Sequence, residues 1–171
     1  MSKTKPSSQE SLIASVIAEA GGTMTGRVRL QKVIYLLDQL NLRSGFTYEY
    51  HHYGPYSKEL TVCTEAAKAD GLISEEFDVR QGDGAWFSRF KTAAHFVTPL
   101  SLPSNTRTAL AAMNSTNATV LELAATAYWI RHSEKRNDWR KEIKRRKGVK
   151  TEDGRLEQAL RLLDQLRLNL S

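Results

Sequence analysis

The chain has 171 residues, and 40% of them are hydrophobic, which is enough for one compact domain with a core and too few for two full domains. Its N-terminus, MSKTKPSSQES, is polar and lacks the apolar stretch of a secretory signal, and no apolar run approaches the ~20 residues that span a bilayer. We therefore expect a cytoplasmic protein that does not enter a membrane, with a disordered tail over residues 1–8 and a single domain over residues 9–171.

The net charge of +6 is concentrated in one stretch of the chain. Residues 131–150, which we call the basic segment, hold ten Lys or Arg and three acidic residues, a local balance of +7, so the rest of the chain sums to −1. Such a segment favours a localised contact with something acidic, either nucleic acid or an acidic protein surface. The competing interpretation is a solvated basic helix and loop.

In the N-terminal part, hydrophobic residues recur at helical spacing and predict two helices. The first spans residues 9–20 and ends at a Gly-Gly pair. Thr25 is the expected N-cap of the second, which spans residues 26–42 and carries Lys32 and Tyr35 away from its apolar stripe. The stripe consists of Leu30, Val33, Ile34, Leu37 and Leu40.

Residues 46–53 place aromatic or polar side chains on both faces of a predicted strand, so a helix or a partner should cover at least one face. Gly54-Pro55 then makes a stiff corner, because proline fixes its own backbone angle and pushes the preceding residue out of the helical region. Ser57 is the expected cap of a third helix over residues 58–69.

Residues 76–92 predict a β-hairpin, because strand-type side chains flank the turn sequence Gln-Gly-Asp-Gly. Thr119 and Glu122 match a capping box that opens a central helix. The predicted helices after the hairpin span residues 105–113, 119–131, 138–147 and 153–168. The predicted fold class is α+β, mainly α: a helical domain with a small antiparallel β-sheet made of the strand at 46–53 and the hairpin at 76–92.

The residue patterns do not point to catalysis or to a bound metal. His51 and His52 are adjacent in a strand and point to opposite faces, so they do not chelate one ion. Cys63 is the single cysteine, which excludes an internal disulfide, and it lies on the apolar side of its helix. We predict a protein that is not an enzyme. The weaker alternative is a small hydrolase or transferase, in which His52, His95 or His132 would meet acidic neighbours.

The sequences LQKVIYLLDQL (residues 30–40) and YEYHHYGPYSKEL (residues 48–60) resemble the Leu-Gln-Lys helix and the Tyr-Gly-Pro corner of SocA-like proteins, which carry the Panacea domain. The resemblance is closer to the YwgA-like branch, which is similar also at residues 71–73, at residues 121–126 and in a leucine-rich C-terminal helix. It implies a mostly helical domain with a small antiparallel sheet, no cofactor, and an antitoxin role in which the domain neutralises a toxin encoded beside it. Some relatives resemble adaptors that deliver a toxin to a protease.

We therefore predict a non-enzymatic protein-interaction module of antitoxin type, which masks its partner by direct binding. Tyrosines offer a large, rigid contact area with a polar tip, so the aromatic strand and its corner are the expected contact surface. The candidate partner-binding residues are Tyr35, Tyr48, Tyr50, Tyr53, Gly54, Pro55 and Tyr56. The competing interpretation is a strand whose side chains are satisfied within the core.

The alternative function is a nucleic-acid-binding transcriptional regulator that uses the basic segment. Lys and Arg neutralise phosphates, and the indole of Trp139 can stack on a base. The candidate nucleic-acid contacts are Arg140, Lys141, Lys144, Arg145 and Arg146. Against this function, Trp139 and Ile143 at helical spacing form a simpler hydrophobic anchor. The two functions are compatible in one molecule.

Overall fold

The structure, a computed structural model, describes residues 7–96 and 102–171. The helices are α1 (Ser8–Glu19), α2 (Arg27–Gln39), α3 (Lys58–Ala69), α4 (Thr106–Asn114), α5 (Ala118–Tyr128), α6 (Trp139–Lys147) and α7 (Arg155–Gln165). The strands are β1 (Thr23–Thr25), β2 (Glu49–His51), β3 (Gly54–Tyr56), β4 (Ile73–Val79) and β5 (Trp86–Thr92). A π-helical turn (Trp129–Ser133) follows α5, and a 3-10 turn (Gly148–Thr151) follows α6.

The predicted fold class is confirmed, because the protein is α+β and mainly α. Strands β1, β5 and β4 form an antiparallel sheet in that order, and β2 pairs with β3 in a separate two-stranded unit. The hairpin of β4 and β5 is the predicted one. It also gains a third strand that the sequence did not predict, since Met24 of β1 lies opposite Phe90 of β5.

Helix α5 has the central position that its nearly continuous apolar sequence predicts. Every residue from Val120 to Ala127 is buried, including Glu122 and Thr126. The helix packs against α2, α6 and α7, while α1 packs against α3 and β5. Burial of these apolar faces is the main source of stability, and it also carries two polar side chains into the interior.

The N-terminal helix begins with a capping box. The hydroxyl of Ser7 accepts the backbone N–H of Glu10 at 3.2 Å, and the Glu10 carboxylate accepts the backbone N–H of Ser7 at 2.9 Å. Helix α1 therefore begins at Ser8, inside the segment predicted as a disordered tail. Residues 1–6 of that segment lie outside the described residues.

Two predicted helix caps are wrong. Thr25 belongs to β1, and Gly26 is the N-cap of α2, with its N–H bonded to the carbonyl oxygen of Ser88 at 2.8 Å. Thr119 does not form a capping box with Glu122, because the side chain of Asn117 caps α5 instead. Glu122 is thereby left available for contacts in the interior.

The predicted strand over residues 46–53 is shorter and has a different partner. Strand β2 begins at Glu49 and pairs with β3, where Tyr50 lies opposite Pro55. The preceding segment is held against α2 by Asp38, whose carboxylate accepts hydrogen bonds from Ser44 and from the hydroxyl of Tyr48. Gly54-Pro55 is therefore part of a strand. The β2–β3 unit, which we call the tyrosine ribbon, does not join the hairpin sheet.

Candidate functional site

The Leu-Gln-Lys helix and the Tyr-Gly-Pro segment contact each other directly. Gln31 lies on the buried side of α2. Its side-chain amide donates to the carbonyl oxygen of Ser57 and accepts the backbone N–H of Ser57, both at 2.9 Å. One side chain thus satisfies both main-chain groups of a residue that is itself buried. We call these two hydrogen bonds the clasp, because they join α2 to the residue that follows the ribbon.

Lys32, the next motif residue, is buried as well, although the helical pattern placed it off the apolar stripe. Its ammonium group donates to the carbonyl oxygen of Pro55 at 2.7 Å. Burial lowers the pKa of Lys32 to about 8, and the attraction of Glu122 opposes that shift. Among the described residues, no carboxylate lies within ion-pair distance of the Lys32 ammonium group.

Gly54 allows the ribbon to approach α5. Its φ of +92° is a conformation that side chains disfavour, and a Cβ atom there would lie 2.5 Å from Oγ1 of Thr126. Gly54 and Pro55 are both buried. The two residues predicted as partner contacts at the corner therefore do not lie on the surface, because they seat the ribbon on the core.

One of the predicted tyrosine contacts lies in the interior, and a second is partly buried against it. Tyr35 is only 2% exposed, so its predicted exposure is wrong, and its ring packs edge-on against that of Tyr48 at a centroid distance of 5.0 Å. The rings of Tyr128 and Trp129 also pack against Tyr35, because the end of α5 and the π-helical turn that follows it cover this side of α2. The hydroxyl of Tyr48 donates to Asp38 at 2.7 Å. Burial raises the pKa of both tyrosines.

Tyr50 and Tyr53 lie against the basic segment, whereas Tyr56 stacks on His51 at a centroid distance of 4.5 Å and its hydroxyl bonds that of Thr61. The guanidinium of Arg146 lies 4.5 Å from the ring centre of Tyr50, and the ammonium of Lys150 lies 5.2 Å from that of Tyr53. Tyr53 is the most exposed of the predicted tyrosines, at 48%. The two surfaces predicted for different partners are thus packed on each other, and each is partly covered by the other.

A buried carboxylate fixes this arrangement. Glu122 of α5 accepts hydrogen bonds from Lys147 at 2.7 Å and from Lys150 at 3.0 Å. Lys147 also donates to the carbonyl oxygen of His52 at 2.9 Å, in the turn between β2 and β3. Burial lowers the pKa of Lys147, and its hydrogen bond to Glu122 opposes the shift. These contacts join α5, the end of α6 and the ribbon.

The basic segment neutralises much of its own charge. Glu142 accepts hydrogen bonds from Arg145 and Arg146, each at 2.6 Å, and Arg146 also forms a two-pronged pair with Glu134. Arg145 and Arg146 were predicted to contact nucleic acid, but both are engaged within the protein. Arg140, Lys141 and Lys144 are exposed, and no ion pair of theirs occurs in the described ranges.

Three exposed apolar side chains lie together on the hairpin. Trp86 is 74% exposed, Phe77 is 60% exposed and Val79 is 40% exposed. Val79 lies directly opposite Trp86, and Phe77 lies two residues along the same face. We call these three side chains the hairpin face. The alternating pattern predicted the hairpin, but it could not show that this end of the hairpin extends beyond the core.

No group of three or more His, Cys, Asp or Glu side chains in the described ranges is arranged to hold a metal ion. His132 contacts the main-chain oxygen of Asn169 at 2.6 Å, and His51 contacts the carboxylate of Glu49 at 2.8 Å. Among the helices of the described residues, none has the length and apolar character needed to cross a membrane.

No family model matches the chain. The protein is 30% identical over 115 residues to the uncharacterized protein YwgA of Bacillus subtilis (strain 168). The matched region covers 64% of this chain and 67% of YwgA. On this similarity, the chain belongs to the same family as YwgA.

Proposed function

We propose that the protein is a non-enzymatic protein-interaction module of antitoxin type, which binds a toxin protein and masks it through the hairpin face. The resemblance of the Leu-Gln-Lys and Tyr-Gly-Pro motifs to SocA-like, Panacea-domain proteins supports the antitoxin role. The observation that carries the docking site is the exposed group of Phe77, Val79 and Trp86. Large aromatic side chains dominate the binding energy of protein interfaces, and groups of them are rarely left in water without a partner.

The geometry of β4 favours a partner that adds its own strand or lays an extended segment along the hairpin. Strand β4 lies at the edge of its sheet, so the main-chain groups on its outer side are available for pairing. It is seven residues long, which is enough for several such hydrogen bonds. Apolar side chains of the segment would then cover the hairpin face.

Charge argues against a second copy of this chain as the occupant. Strand β4, with the sequence ISEEFDV, holds three acidic residues and no Lys or Arg. Two copies paired along β4 would place carboxylates opposite carboxylates, which is destabilising. A partner segment with Lys or Arg near the exposed Glu76 and Asp78 would complement the strand instead. We therefore expect an apolar and basic segment of a different protein.

Co-expression with the neighbouring reading frame tests the proposal. The variants Phe77→Ser and Trp86→Ser should reduce co-purification of the partner at least tenfold and abolish rescue of growth. Val62→Ser and Val149→Ser are matched controls, because these valines are 61% and 71% exposed outside the hairpin. They should leave the complex intact.

Other outcomes would overturn the docking site. If Tyr53→Ala releases the partner while both hairpin variants retain it, the tyrosine ribbon is the contact surface. If light scattering shows a dimer of the isolated protein that Trp86→Ser dissociates, a second copy occupies the face. Growth inhibition by the neighbouring gene product that this protein does not relieve would contradict the antitoxin role itself.

Nucleic-acid binding is the second candidate function, carried by the exposed side chains of Arg140, Lys141 and Lys144 on α6. Affinity for duplex DNA should fall steeply as salt is added. The double variant Lys141→Glu, Lys144→Glu should abolish binding in an anisotropy titration without loss of stability, because neither side chain has an internal ion pair in the described ranges. Unchanged binding by this variant would remove the candidate.

A further inference from the structure

A cavity of about 380 Å³ opens between α2, the tyrosine ribbon and α3, outside the hairpin face. Its volume lies in the range of small-molecule sites, which are concave, mostly apolar and lined by a few polar groups. Five aromatic side chains line it: His51, His52, Tyr53, Tyr56 and Phe90. Leu30 adds an aliphatic surface beside them. This lining suits a flat aromatic ring, because ring faces and edges pack favourably against one another.

The polar groups of the cavity include one buried cation. Lys32 lines the cavity and is 2% exposed. Its ammonium group has three donors, and the one hydrogen bond found for it in residues 7–96 and 102–171 goes to the carbonyl oxygen of Pro55. The carboxylate that attracts this ammonium group is Glu122, which is already bonded to Lys147 and Lys150. A buried cation without a contacting carboxylate is costly, and a bound anion would offset that cost.

The other charged residues at the cavity do not remove its preference for an anion. Arg27 lines it and is more than half exposed, with a bidentate pair to Glu75 at 2.6 and 2.7 Å. Glu65 also lines it, but its carboxylate is bonded to Lys68 at 3.0 Å and lies 3.7 Å from Arg27. The charge of Glu65 is therefore balanced by neighbouring cations, whereas no contacting anion balances the charge of Lys32 in the described ranges.

We propose that this cavity is a binding site for a small aromatic carboxylate, whose ring packs among Tyr53, Tyr56 and His51 and whose negative charge is neutralised by Lys32. The low pKa of Lys32 agrees with such a site, because burial penalises its charged form, while Glu122 from α5 favours that form and Lys147 from α6 opposes it. The site does not depend on the hairpin face, so it stands whether or not the protein is an antitoxin.

Titration with matched probes tests the site by nuclear magnetic resonance and calorimetry. The probes are 2-naphthoate and its neutral amide, 2-naphthamide, which share a ring and differ in charge. The wild-type protein should bind the carboxylate at least tenfold more tightly than the amide, with shifts at the resonances of His51 and Tyr56. Lys32→Met should remove the difference between the two probes. Lys144→Met, which removes an exposed lysine elsewhere, is the control and should bind both probes as the wild-type protein does.

A second variant keeps the test decisive if Lys32→Met fails to fold. Val28 lines the cavity and is half-buried, so Val28→Trp fills the space while Lys32 stays in place. This variant should lose both probes. The proposal is overturned if the wild-type protein shows no cavity shifts at millimolar probe, if amide and carboxylate bind equally, or if Val28→Trp binds as the wild type does.

Discussion

Gln31 and Ser57 exchange two hydrogen bonds of 2.9 Å, as two residues of paired strands would. One partner is a side chain of α2 and the other is main chain at the N-cap of α3. Replacing the side chain leaves the buried N–H of Ser57 without its partner, while the carbonyl oxygen of Ser57 keeps the backbone N–H of Thr61 at 3.3 Å. Such an unpaired group costs about 1–3 kcal/mol, which is more than the bond itself contributes.

Gln31→Leu should therefore lower the free energy of unfolding by roughly 1–3 kcal/mol, the cost of one unsatisfied buried N–H. Urea denaturation measures it. Gln39→Leu is the matched control on the same helix, since Gln39 donates to a carbonyl oxygen one turn earlier, that of Tyr35. Its cost should stay below ~1 kcal/mol, because the main-chain group keeps its helical environment. Equal losses in the two variants would show that the clasp adds nothing.

Gly54→Ala should destabilise the protein by two separable effects. The positive φ costs about 1 kcal/mol, and the clash of the new Cβ with Oγ1 of Thr126 adds roughly 1–3 kcal/mol. Gly71→Ala isolates the first effect, because Gly71 has a φ of +73° with nothing within 4 Å of a Cβ. The double variant Gly54→Ala, Thr126→Ala should lack the clash, so that only the cost of the positive φ remains. Thermal denaturation of these three variants and the wild-type protein measures the two costs, and similar values for Gly54→Ala and Gly71→Ala would refute the close approach.

Glu75 should make the protein sensitive to acid. Its side chain is fully buried and bonded to Arg27 and Lys68, and the hydrogen bond from Arg27 is the largest cause that lowers its pKa to about 2. Because the unfolded carboxylate titrates near 4.5, the stabilisation is complete above that pH and is lost as pH falls towards 2. Stability of Glu75→Gln should fall less steeply over this window. Glu76→Gln, at an exposed pair with Lys91, should retain the wild-type slope.

Lys32 also makes stability rise with pH, but its shifted pKa comes from burial and is a cost to the fold at low pH rather than a gain at high pH. Its pKa falls from 10.5 in the unfolded chain to about 8 in the fold, so the folded state holds fewer protons between these values and stability rises with pH there. Relative to Lys32→Met, the wild-type protein should gain up to ~3 kcal/mol from pH 7 to 10.5, at about 1.4 kcal/mol per pKa unit. Urea denaturation at pH 7, 8, 9 and 10 measures the difference. A Lys144→Met protein should run parallel to the wild type, and a constant gap for Lys32→Met would contradict the shifted pKa.

Local signals predicted the elements well. Helix α3 has the predicted bounds, because Ser57 caps it and Asp70-Gly71 ends it within the same short stretch of sequence. The hairpin turn and the buried α5 followed from equally local patterns. The bounds of β2 did not, because Asp38 holds the preceding residues from another element, and that contact is not visible in the alternation of residues 46–53.

The site was harder to predict, because its residues meet across long separations. Glu122, Lys147 and His52 come from three elements, and nothing near Glu122 in the sequence distinguishes a buried carboxylate from a helix cap. Tyr35 has the spacing of an outward-facing residue, yet a second layer of helix covers it. The exposure of Trp86 is equally invisible, since a strand pattern fixes the face of a side chain but not what covers that face.

The pairing of β1 with β5 has a consequence for biosynthesis. Thr23 to Thr25 find their strand partners at residues 89–91, far along the chain. While a ribosome is still adding the residues between them, the first two helices lack the sheet against which α1 packs. We therefore expect the nascent N-terminal portion to expose apolar surface until β5 emerges, and to be open to chaperones and proteases during that interval.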